Sequence, residues 1–165
     1  MEASRAEPHE GYLQVSRLSV GEIGGMVSAG VLLLSLFLPW FSTDSRNSEI
    51  AGQRGEGLDV TAWEVFSTLD WLLVAACAAP FILTWIIMRG HALTWRPGEV
   101  TMVVGITAFV LILCNGVILG KPGNEIGISL SYGYLVALLG CVGIMLSGFI
   151  RQSVGERGRK PPGTL

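Results

Sequence analysis

Charge is scarce in this chain and is kept out of four long stretches. Only 15% of the 165 residues are charged, and none of them falls within residues 23–41, 71–88, 100–119 or 132–150. Proton-coupled carriers keep ionisable groups inside their helices because charge there is costly and is retained for work. Their absence argues against transport by this chain alone. The two histidines, His9 and His91, stand apart from each other and from any Cys-x-x-Cys pair, so no metal-ligand spacing exists. The three cysteines, Cys77, Cys114 and Cys141, all lie inside the apolar stretches, where they read as small packing residues, and none lies where an oxidising compartment would favour a bridge. No nucleophile is paired with a base, and no acids cluster with histidine, so no enzymatic chemistry is expected. Gly52, Gly55 and Gly57 lack the lysine pattern of a phosphate-binding loop and read as flexibility. Neither a cofactor nor a nucleic-acid partner is expected.

What the chain does have is four apolar runs of about 18 to 20 residues each. At about 1.5 Å of rise per residue, each approaches the roughly 30 Å of a bilayer's hydrocarbon core. Lipid offers no water to satisfy peptide groups, so runs of this kind are predicted as helices and strands are excluded from them. The expected fold class is all-α: a polytopic membrane protein built as an antiparallel four-helix transmembrane bundle, with the bilayer as its first partner. The expected organisation is an N-terminal cytoplasmic segment over 1–19, a transmembrane domain over 20–150 with an outer loop at 42–60, and a disordered basic cytoplasmic tail over 151–165. The first run is too long for a secretory signal, and Leu38, Pro39, Trp40 and Phe41 form no small-residue cleavage site, so it reads as a retained span.

Pro97, Gly98 and Glu99 mark the start of the third helix, and Gly120, Lys121 and Pro122 its end. The second helix is expected to begin early, near Thr61, and to bend at Pro80, which removes an N–H and crowds the carbonyl of Ala76. Basic residues set orientation when loops are short. Arg5, Arg17, Arg89, Arg96, Arg151, Arg157, Arg159 and Lys160 share one side, against Arg46, Arg54 and Lys121 on the other. Both termini are therefore expected in the cytoplasm of a cell whose plasma membrane the protein crosses several times. Trp40, Trp63 and Trp71 are expected at headgroup level on the outer side and Trp95 on the inner.

In lipid, helices associate through close backbone approach at small residues. Gly21, Gly25, Ser28 and Ser35 line one stripe of the first helix, and Gly133, Ala137, Gly140 and Ser147 line one of the fourth. These faces are expected to look inward and to pack on each other. Thr101, Gly105, Ala108 and Asn115 recur at matching intervals in the third helix, and Asn115, the most polar residue well inside a span, is expected to make a hydrogen bond to another helix. Trp40, Trp63, Glu64 and Asp70 are candidates for an outer interface, with Glu64 and Asp70 read as solvated acids and Glu22 and Glu99 as edge residues that favour helix N-termini. The loop at 42–60 is polar, glycine-rich and expected to be mobile, and its end is expected to cap the bundle.

Two stretches read together: Ser35-Leu36-Phe37-Leu38-Pro39-Trp40-Phe41, then Asp59 to Phe66 and Asp70 leading into the second span. This pattern resembles a group of small, uncharacterised four-span bacterial membrane proteins with an LFLPW-type exit and an AWE-type re-entry. The resemblance implies layout and no activity. The plan with a longer first outer loop is also similar to claudin-like proteins, but their GLW motif and paired loop cysteines are absent here and that relation is rejected. The expected role is an accessory or scaffold subunit with a membrane-protein partner or a second copy of itself. The alternative is a channel or transporter component active as an oligomer.

Overall fold

A computed structural model describes residues 18–89, 97–124 and 126–157. The expectations for the N-terminal segment to Arg17, for Gly90 as a helix stop, for Trp95 and Arg96, and for the tail from Gly158 onward lie outside the described residues. The chain is mostly helical: α1 (Val20–Ser35), α2 (Ala62–Val65), α3 (Leu69–Met88), α4 (Pro97–Leu113), a π turn (Cys114–Ile118) that continues α4, and α5 (Tyr132–Arg157). Among the described residues three helices are long and apolar enough to cross a membrane, over Leu69–Met88, Gly98–Ile118 and Tyr132–Ser153. α1 is also apolar but has 16 residues, about 24 Å of helix.

α1 packs on α5 and α3, and α4 packs on the same two helices. Leu32, Leu73, Ile112, Ala137, Cys141 and Ile144 are fully or almost fully buried between them. Large apolar side chains also cover the outside, among them Val27, Leu34, Phe81, Val110, Leu139 and Phe149. A helix apolar on all faces belongs in lipid, where the outward face needs no polar cover.

Strands correct the all-α expectation. Two small antiparallel sheets cap one end of the helices: β1 (Pro39–Thr43) lies between β4 (Asp59–Thr61) and β5 (Ile128–Leu130), while β2 (Glu49–Ile50) pairs with β3 (Gln53–Arg54) through a tight turn with Ala51 at φ 51° and Gly52 at φ 74°. Phe41 stands opposite Val60 on one side and Leu130 on the other, and Trp40 sits in a bulge between the Pro39 and Phe41 pairings. The loop expected to be mobile therefore carries ladder bonds and buries Ile50 and Val60. The 42–60 loop and the loop before α5 are further stitched together by Glu49 N–H to Asn124 Oδ1 at 3.0 Å, Asn124 Nδ2 to the Asn47 carbonyl at 2.7 Å and Ser48 Oγ to the Ile126 carbonyl at 2.6 Å.

Three boundaries differ from the reading of the apolar runs. The first run does not stay helical to residue 41: α1 stops at Ser35, whose carbonyl accepts from Leu38 N–H at 3.1 Å and from Trp40 Nε1 at 2.7 Å, and Pro39 then opens β1. The second helix does not run through from Thr61: Phe66 is extended (φ −113°, ψ 141°), separating α2 from α3 and placing its ring against Trp40 and Phe41. α5 continues to Arg157, so residues 151–157 are helix rather than disordered tail.

Candidate functional site

At the end of the helices away from the sheet, α1 begins with Ser19 as its cap. Ser19 N–H and Oγ both donate to Glu22, which satisfies the first turn and fixes the carboxylate. The other oxygen, Glu22 Oε1, accepts from Arg151 Nε at 2.9 Å, and the two side chains are only 5% and 15% exposed. Glu22 was expected to be easily solvated at an edge and Arg151 to belong to a tail. α5's extension carries the guanidinium back over α1 and overturns both expectations. The approach depends on missing side chains: a Cβ on Gly21 would lie 3.1 Å from the Ser147 carbonyl and 3.2 Å from Arg151 Cβ, and one on Gly25 would lie 3.1 Å from Ser147 Oγ. A cavity of about 10 Å³ beside the pair is lined by Pro80 and the hydroxyl residues Thr84, Thr101 and Ser147, which suits a single water molecule.

The remaining packing residues fall on two surfaces. Gly140 lies against Leu32, Gly143 against Ser28 and Gly133 against Pro39, so α5 presents glycines along α1 and up to β1. Ala137 is fully buried. Gly143, like Gly148 on the α4 side, has no place in the stripe read from sequence. Its signal is the three-residue spacing from Gly140, which puts Gly143 on the same α1-facing side. Asn115 corrects another expectation: its Nδ2 donates to the Leu111 carbonyl at 2.9 Å, within its own helix, where the π turn loosens the backbone ladder.

At the sheet end, Trp40 is fully buried by protein, so its ring is not presented to headgroups as an anchor. Its ring meets Tyr134 edge-on at 5.6 Å and Phe66 at 6.0 Å. Tyr134 Oη donates to the Ile112 carbonyl at 2.9 Å and ties α5 to α4. Trp63 is half-buried between Phe37 and Trp71, and Trp71 is exposed. Glu64 accepts from Thr61 N–H at 2.7 Å and Thr61 Oγ1 at 2.9 Å, capping α2. Asp70 is the exception among the acids: read as solvated, it is 0% exposed in the first turn of α3, and neither of its oxygens has a hydrogen-bond partner. Trp63 Nε1 is a buried donor in the same condition.

Chemically, these arrangements hold and position groups. Glu64 and Asn115 are engaged within their own elements, and among the described residues no group of three or more His, Cys, Asp or Glu side chains could hold a metal ion. Comparison with known protein families, curated proteins and solved structures gives no match to this chain.

Proposed function

We propose that this chain is a non-enzymatic, multi-pass protein of a bacterial plasma membrane: four spans packed as a bundle, both termini cytoplasmic, acting as an accessory or scaffold subunit. The observation that carries the reading is the filled axis. Ala29, Cys77, Ala108 and Ile144 occupy the middle of the helices at 3% exposure or less, and Leu32, Leu73 and Ile112 with Trp40, Phe41 and Tyr134 close the sheet end at 1% or less. A bundle sealed in this way is suited to holding a shape. α1 completes the fourth span with the turn and strand that follow it, since Trp40 reaches the first turn of α5 through Tyr134 and irregular backbone is tolerated at membrane depth where protein buries it. The distribution of basic residues supports the orientation, with the sheet facing outward.

The second reading is a channel or transporter component active as an oligomer. It is favoured by the buried Glu22–Arg151 pair and by Asp70, because ionisable groups within spans are usually retained for a task. Liposomes containing the purified protein separate the two. The scaffold reading expects no saturable uptake of ions or small solutes, together with a stoichiometric membrane-protein partner recovered by crosslinking in native membranes. Reproducible, saturable uptake overturns it.

A further inference from the structure

A cleft of about 320 Å³ opens where the π turn ends, lined by Gly116, Val117, Gly120, Lys121 and Leu130. Its apolar wall continues the lipid-facing surface: Val117 is 55% and Leu130 37% exposed, and Ile118 and Leu119 alongside are more exposed still. Its back is firm. The Tyr134 ring occupies the place a Cβ on Gly116 would take, and Tyr134 is itself held to the Ile112 carbonyl. Gly120, at φ 97°, turns the chain so that a cation follows directly on the apolar surface.

The charge balance at this end says what that cation is available for. Arg46 pairs with Glu56 at 3.7 Å and Arg54 with Glu49 at 3.2 Å. Among the described residues Lys121 is the one base of the sheet end with no carboxylate partner. Its ammonium donates to the Ile128 carbonyl, which leaves two of three donors for a ligand. A point charge at the mouth of an apolar cleft, at the level where a spanning helix ends, matches an amphiphile with an anionic head. The volume is at the small end of ligand pockets, enough for a headgroup and the start of a chain.

We infer that this cleft binds one anionic phospholipid, with the phosphate on Lys121 and an acyl chain along Val117 and Leu130. The inference rests on the membrane-spanning reading and on neither the scaffold role nor the orientation. Native mass spectrometry of the full-length protein in mild detergent, offered equal amounts of phosphatidylglycerol and phosphatidylcholine with matched chains, tests it. The expected result is one retained phosphatidylglycerol with a preference of about fivefold, the scale of one well-placed cation. Lys121→Gln should abolish the preference and Lys121→Arg should keep it. Val117→Trp, which fills the cleft and leaves the cation, should lower retention of both lipids, with unchanged helical circular dichroism showing that each variant is folded. Inorganic phosphate should not displace the lipid. Equal retention of the two lipids, a preference that survives in folded Lys121→Gln, or displacement by phosphate overturns the site. Equal retention would leave the spanning reading intact.

Discussion

Asp70 loses its water on folding and gains no hydrogen bond in return, so it lowers the stability of the fold that contains it. Asp70→Asn keeps the shape and removes the possibility of a buried charge. It is expected to raise the thermal midpoint in detergent at pH 8, by an amount equivalent to about 1–3 kcal/mol. An unchanged or lowered midpoint would mean that the carboxyl is satisfied in the folded protein. Glu22 and Arg151 present the opposite case, a buried pair in which each charge has its partner. Glu22→Gln or Arg151→Gln alone leaves one buried charge uncompensated and should cost about 3–5 kcal/mol, while the double substitution should recover part of that loss. Thermal unfolding of the three variants checks this, and a double variant worse than either single one would contradict it. Neither arrangement was legible in the sequence. Glu22 sits beside an apolar run and resembles any helix-start acid, and its burial depends on a guanidinium from the far end of the chain. Asp70 precedes its run by one residue, and its burial in the first turn of α3 comes from tertiary packing that local sequence does not show.

Elements show where close approach matters. A Cβ on Gly105 of α4 would lie 2.7 Å from the Met145 backbone nitrogen of α5, and one on Gly148 would lie 2.5 Å from that of Met102. Backbone cannot move aside as a side chain can, so Gly105→Ala should push α4 off α5 at a cost of about 1–3 kcal/mol. Gly30 in α1 has nothing within 4 Å of such a Cβ, and Gly30→Ala should be neutral or stabilise by about 0.5–1 kcal/mol. If the two substitutions shift the unfolding midpoint alike, the helix contacts are misassigned. Small residues at helical spacing on α1 and α5 could be read from the chain because that spacing survives from sequence to surface. The strands could not. They are two to five residues long, too short for a period, and β5 reaches β1 from a separate loop. The break at Phe66 was hidden in the same way, since Ala62 to Phe66 reads as good helix and only the pull of Trp40 and Phe41 on the Phe66 ring extends it.

At the scale of the whole molecule, hydropathy predicts lipid as the solvent, and three of the described helices are long and apolar enough to cross a membrane. Polarity and glycine content point to mobility in the 42–60 loop because they report local preference. Its order comes from pairing with the loop before α5 and from the Asn124 and Ser48 bonds that join the two. The account depends on helices that cross a bilayer with the sheet on one side and both termini on the other. Cysteine accessibility in intact cells measures this directly, using Ser45→Cys in the sheet end and Gly158→Cys in the tail, each compared with the unsubstituted chain and its three native thiols. The predicted result is labelling of Ser45→Cys by an impermeant thiol reagent before the cells are opened, and of Gly158→Cys only afterwards. Labelling of both in intact cells, or of Gly158→Cys alone, would contradict it.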